Sequence, residues 1–233
     1  MNIDFQILGP SAHESGQMDV VLVAVKKSLI NEYITVLEEA GLAPAVVDID
    51  AFALGNVFEA NYDPQEYRNI ALINIGASKT NINIMQNGVP VFTRDSSTGT
   101  NFHTDAIERM MKVSRDEAEL LKRGESVAGV SMEAVGDVLS SASDEIYAEI
   151  YRSFEYFRSS VSDEGLQRIL LSGGAAMIKG FPEMMSERLG VDVEVLNPFR
   201  NISVSEKAAD AVKNAPLVAV AVGLALRRIG DKL

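Results

Sequence analysis

The sequence contains no cysteine, which excludes a disulfide framework, a thiolate metal site and a cysteine nucleophile. Its two histidines, His13 and His103, stand too far apart along the chain for metal-ligand spacing. Basic residues are in the minority. With 21 Lys and Arg against 33 Asp and Glu, the net charge is −12, which disfavours direct contact with nucleic acid or an anionic membrane. No apolar run reaches the ~18 residues of a membrane-spanning helix; the longest, residues 215–229, closes on Arg227-Arg228. The first residues do not read as a secretion signal, so the expected compartment is the cytoplasm. No His-based triad or placed carboxylate pair points to hydrolase chemistry. Asp48 and Asp50 look paired but are expected to cap the helix that follows them, and Asp95 and Asp105 are isolated.

Apolar residues make up 47% and charged residues 23% of the 233, as in a globular protein with a real core in one large or two small domains. The organising stretch is residues 70–95. Residues 70–75 form a near-continuous apolar run, expected of a strand buried on both faces. Residues 80–85 alternate, with Ile82 and Ile84 on one face and Asn81 and Asn83 on the other. Asn87-Gly88 then predicts a tight hairpin. Between the first two strands lies Gly76-Ala77-Ser78-Lys79, a glycine-started turn whose amides are open to an anion or phosphate. A plain β-turn that needs glycine at 76 is the alternative reading.

Residues 1–49 read as β-β-α-β: strands over 2–8 and 19–25, a helix over 29–40 capped by Ser28 and closed by Gly41, and a strand over 44–49. His13 falls in the loop between the first two strands. A helix over 50–60 precedes a polar, proline-containing segment, 61–68, which is the expected domain boundary. After the three strands come helices over 101–112, over 115–123 with a Ser114/Glu117 capping box, and over about 131–160. The stripe Ile146, Ile150, Phe154, Phe157, Val161 on the last is expected to be core. A strand over 168–171 runs into Ser172-Gly173-Gly174-Ala175, where bare backbone would let a ring or ribose lie close. A helix over 182–189, a strand over 191–196 and a closing helix over 215–228 complete an α/β domain. Ligands of open α/β sheets bind where strands end and loops diverge, so the two glycine turns are the candidate site.

These residues in combination resemble a family. The strand–turn–strand from Asn74 to Thr80, the LLSGGAAMIKGFPEMMSERLG segment, the LNPF turn and the VAVGLALR helix are similar to the actin-like ATPases. Among these, the chain most resembles the type IV pilus assembly PilM family and its FtsA relatives, over essentially its whole length. The resemblance implies an actin-like, ribonuclease H-like α/β fold, with an incomplete first half over 1–62 and a complete second half over 63–233 that carries a helical insertion at about 101–145. It implies ATP with Mg²⁺ as cofactor. Asn74, Gly76, Ala77, Ser78 and Thr80 would form a phosphate loop, Gly173, Gly174 and Ala175 an adenosine loop, and Glu119 and Lys122 would approach the ribose. For the last two, an exposed helix face is the alternative.

The family's N-terminal phosphate loop is expected to lie outside this chain. Asn74 stands where the family usually carries aspartate, and an amide supplies no charge to a hydrated Mg²⁺; at most weak ATPase activity is expected. The implied partner is an inner-membrane pilus protein with a short cytoplasmic tail, PilN-like, gripped partly by residues 2–49. That contact would recruit a cytoplasmic scaffold, without membrane insertion or nucleic acid, to the inner-membrane face and couple it to the pilus motor ATPases. Two other readings stand beside it: a nucleotide-free adaptor relative, and a kinase or phosphatase of the same superfamily.

Overall fold

The computed structural model describes residues 1–10, 16–162, 164–228 and 230; His13 lies outside them. The chain divides into two compact units, Met1–Ile49 with Leu226–Leu233, and Asp50–Ala225.

In the smaller unit, β1 (Asn2–Pro10) pairs antiparallel with β2 (Met18–Val25), and α1 (Lys27–Glu39) follows. The register sets Ile3 opposite Ala24, Phe5 opposite Leu22 and Ile7 opposite Val20. Because strand side chains alternate, these residues share one face, and that face is open: Phe5 is 61% and Leu22 64% exposed. Gly41, at φ 77°, closes α1 as expected, its amide bonding the Glu38 carbonyl. Three expectations change here. The cap position of α1 is Lys26, with no side-chain hydrogen bond, and Ser28 lies inside the first turn. The strand expected over 44–49 is absent; the unit is β-β-α. Asp48 does not cap α2 either: it accepts from the Ile49 amide and pairs with Arg227 Nε at 3.2 Å.

The larger unit is a five-stranded sheet in the order β5-β4-β3-β6-β7. Its strands are β3 (Asn69–Ile75), β4 (Thr80–Gln86), β5 (Val89–Ser96), β6 (Arg168–Ser172) and β7 (Asp192–Val195). β3, β6 and β7 are parallel, and β4 and β5 are antiparallel additions. Asn87 and Gly88 take positive φ in the hairpin between the latter two, as Asn-Gly predicts. The helices are α2 (Asp50–Asn61), α3 (Asn101–Met111), α4 (Arg115–Lys122), α5 (Met132–Ser160), α6 (Phe181–Leu189), α7 (Ala209–Lys213) and α8 (Ala219–Ala225).

Both sheet faces are covered, which is why β3 is apolar without alternation. Ile73, Ile75, Ile82, Ile84, Ile169 and Leu171 pack on one side against Ile107, Leu121, Ile146, Ile150 and Phe157. Ile146, Ile150 and Phe157 of the α5 stripe are thus core, Phe154 packs at its margin, and Val161 is 41% exposed beyond the helix. On the other side Ile70, Leu72, Met85 and Leu170 meet Leu54, Val57 and Phe58 of α2 and Ala219 of α8. The closing helix is shorter than 215–228. A 3-10 turn holding Pro216 precedes the seven residues of α8, and the chain leaves the helix after Ala225.

This packing draws α2 into the larger unit, so the two units part at Ile49/Asp50 rather than at residue 62. The expected boundary segment is bonded into the domain. Tyr62 Oη accepts from the Asn197 amide at 2.9 Å, and Asn61 Oδ1 accepts from the Asn201 amide at 2.9 Å.

Candidate functional site

β3 and β6 run parallel with Asn74 beside Ser172. The turns that follow them therefore leave the same edge of the sheet as neighbours. Their contact is direct. Gly173 has φ +84°, and a Cβ on it would overlap the Ile75 carbonyl and come within 2.9 Å of Asn74 Oδ1. Only glycine combines that left-handed conformation with so close a backbone approach.

The Gly76 turn is closed by its amide bonding Lys79 O at 2.8 Å. Its outer carbonyls face α3: Thr100 N donates to Gly76 O at 2.9 Å and Asn101 N to Ala77 O at 2.8 Å. Gly99 is pressed against this junction, where a Cβ would meet the Ala77 and Gly76 carbonyls at 2.7 Å. With the carbonyls turned toward α3, the exposed amides of Ala77 and Ser78 have no protein acceptor among the described residues. Thr80 is 1% exposed and its hydroxyl donates to Thr98 O at 2.8 Å, so its side chain pins the loop from inside.

A polar row crosses the sheet behind the turn. Ser172 Oγ donates to Asn74 Oδ1 at 3.2 Å, Asn74 Nδ2 to Asn81 Oδ1 at 3.0 Å, and Asn81 Nδ2 to Asp95 Oδ1 at 2.9 Å. Asp50 joins it from the start of α2. Partial loss of water, then Asp95, push its carboxyl above the usual range, against Lys79 and Asn81. Sequence reading set Asp50 beside Asp48 and left Asp95 isolated. The structure brings Asp50 and Asp95 together, and the signal was the Asn81/Asn83 alternation, which puts Asn81 on the face that α2 covers.

Glu119 and Lys122 are not an exposed helix face. Lys122 is 8% exposed, and its Nζ donates to Glu119 Oε1 at 2.7 Å and Thr104 Oγ1 at 2.8 Å. Thr104 donates in turn to Glu119 Oε1 at 2.6 Å. Burial works to raise the Glu119 carboxyl, but the Lys122 and Thr104 bonds outweigh it and hold it below the usual range. Thr104 lies one helical turn beyond Thr100, so α3 connects this cluster to the Gly76 turn. Ala175 is buried in the short 3-10 turn Gly174–Met177 that follows Gly173.

His103, fully buried, bonds Ser143 Oγ through Nε2 at 2.8 Å. Ser143 gives its own proton to Leu139 O at 2.7 Å, so Nε2 carries the imidazole proton. Burial, then Lys122, push the imidazole pKa down to about 4 from 6.5. The fold holds this ring neutral; stability is full above the unfolded value and lost as pH falls from 6.5 toward 4. That shift amounts to about 3 kcal/mol. Urea melts at pH 7 and pH 4 should show the protein losing about that much more stability than a His103→Gln variant.

The turns fit a nucleotide: free amides for phosphate, and at the half-buried Gly174 bare backbone against which a sugar or ring would lie, with Gly173 buried behind it against Ile75. They do not supply a metal with a carboxylate at position 74, and among the described residues no three His, Asp or Glu side chains gather as metal ligands. Mg²⁺ would therefore depend on the bound nucleotide, with no carboxylate at position 74 to help hold it. A groove of ≈ 550 Å³ lined by Arg168, Glu183, Asp192 and Glu194 lies at the opposite end of β6 and β7. Among the described residues no single helix is long and apolar enough to cross a membrane.

The chain is similar to known proteins over most of its length. It is 27% identical to a chain of a PilM–PilN type IV pilus biogenesis complex, with a TM-score of 0.83 over 99% of this chain and 67% of that one. Ethanolamine utilization protein EutJ from Carboxydothermus hydrogenoformans matches at 19% identity and TM-score 0.62, over 87% of this chain and 62% of that one. MreB5 of Spiroplasma citri, solved with ADP, matches at 16% and 0.61, over 87% and 65%. The chain thus spans about two thirds of the length of these relatives, and the fold is the actin-like one. The model of the family described as type IV pilus assembly protein PilM matches residues 1–229; with nearly the whole chain inside that match, the protein belongs to the PilM family.

Proposed function

We propose that the protein is a cytoplasmic actin-like scaffold of type IV pilus assembly that binds ATP or ADP and grips the cytoplasmic tail of a PilN-like inner-membrane protein. The observation that carries the nucleotide part is the convergence of the Gly76 and Gly173 turns at one sheet edge. Ala77 and Ser78 amides hold phosphate, Gly173, Gly174 and Ala175 underlie the nucleoside, and the Glu119–Lys122–Thr104 cluster faces the ribose. The partner holds the scaffold at the inner-membrane face, where it connects to the pilus motor ATPases. The chain carries no assigned catalytic residue, and Mg²⁺ would be held mainly through the nucleotide.

The tail reading draws support from the PilM–PilN relative and from the open apolar face of β1 and β2. A labelled peptide of a PilN-family tail should bind with an affinity that Phe5→Asp and Leu22→Asp each weaken about 30-fold or more, the range of a lost apolar anchor. Both side chains are exposed, so the melting temperature should stay within a few degrees. Unchanged peptide affinity in both variants would contradict the reading.

A nucleotide-free adaptor is the second reading. It is favoured by Asn74, whose carboxamide is engaged at both ends, by Ser172 and by Asn81.

A further inference from the structure

Thr100 is the cap position just before α3, at the junction of the two turns. Its amide is committed to Gly76 O at 2.9 Å, which fixes the residue against the phosphate turn. Its side chain points the other way, toward the nucleoside turn: Oγ1 lies 3.8 Å from the Cβ position of Gly174. The residue is 3% exposed, yet its hydroxyl has no hydrogen-bond partner among the described residues. The neighbouring hydroxyls differ. Thr98 Oγ1 bonds Ser96, Thr80 bonds Thr98 O and Thr104 bonds Glu119. Its oxygen is not sealed from solvent in the way the unpartnered Asn83 Oδ1 and Tyr147 Oη are, so it is open to a ligand, and the positive end of the α3 dipole beside it favours an anionic one.

We propose that Thr100 is a ligand-contacting residue whose hydroxyl hydrogen-bonds the phosphate–ribose junction of a nucleoside di- or triphosphate lying across the Gly76 and Gly174 turns. The assignment rests on the nucleotide reading and adds to it a side chain that neither glycine turn reveals. Glycine at 174 leaves room for the ligand, and Thr100 supplies the polar group within that room. Its rigid β-branched side chain keeps the hydroxyl aimed there.

The test is ADP titrated calorimetrically into the protein and its Thr100→Val and Thr100→Ser variants. Valine keeps the shape and the amide bond to Gly76 but has no hydroxyl; serine keeps the hydroxyl. The expected result is a loss of roughly tenfold or more in ADP affinity for Thr100→Val, the size of a hydrogen bond to a charged group, with Thr100→Ser within about threefold of the parent. If Thr100→Val does not fold, Thr100→Ala, which also keeps the amide, takes its place. ADP binding in the parent with equal affinity in Thr100→Val overturns the contact and leaves the nucleotide reading standing. No ADP binding in the parent overturns both.

Discussion

Replacing Gly173 by alanine is expected to destabilise the larger unit by about 3–4 kcal/mol. The estimate adds ~1 kcal/mol or more for forcing a side chain to φ +84° to ~2 kcal/mol for overpacking. The obstacle is backbone, the Ile75 carbonyl and carbon, with Asn74 Oδ1 beside it, so no rotamer change relieves it. β3 and β6 would have to part at the end where their ladder is set by Asn74 and Ser172. For a unit of this size, about 2–4 °C per kcal/mol gives a melting temperature lowered by roughly 10 °C. The same displacement moves Gly173 away from Asn74 and breaks the adjacency of the two turns, so nucleotide binding should be lost with it.

Gly223→Ala should cost about as much for an unrelated reason. Gly223 is the point at which α8 crosses α2, and a Cβ there would overlap the Ala53 carbonyl. The helices would separate, thinning the layer of Leu54, Val57, Phe58 and Ala219 that covers one sheet face. About 3 kcal/mol is expected from this overpacking, read as a shift of the urea midpoint with an unchanged slope. This crossing is not part of the turn edge. Gly223→Ala should therefore keep its response to nucleotide when compared with Gly173→Ala at matched destabilisation.

Much of this architecture was legible because it is local. The apolar run of β3, the Asn-Gly hairpin, the Ser114/Glu117 capping box and the buried stripe of α5 each need only a few adjacent residues. The strand expected over 44–49 does not form: among the described residues the segment joins neither open edge of the β1–β2 pair, and Asp48 turns to Arg227. The closing helix was read too long because its apolar run continues past the residues that pack on α2. At the site, the glycine turns were visible, and the resemblance named Glu119 and Lys122. Thr100 was not visible, since its place depends on which strand lies beside which, and the Asp50–Asp95 approach was signalled only indirectly, through the Asn81/Asn83 alternation. The burial of Lys122 through Thr104 was equally hidden, as one helix face cannot show that a second helix supplies its hydrogen-bond partner.

The central claim is that two glycine bends, remote in sequence, make one nucleotide cradle. ADP titrated into the parent, Gly173→Ala and Gly223→Ala, each below its own melting temperature, tests it most directly. The account predicts saturable binding in the parent and in Gly223→Ala, with a melting temperature that rises as ADP reaches about 100 times Kd, equivalent to ~2.7 kcal/mol, and no such rise in Gly173→Ala. A parent whose melting temperature does not move at millimolar ADP, or a Gly173→Ala protein that binds as tightly as the parent, would contradict it.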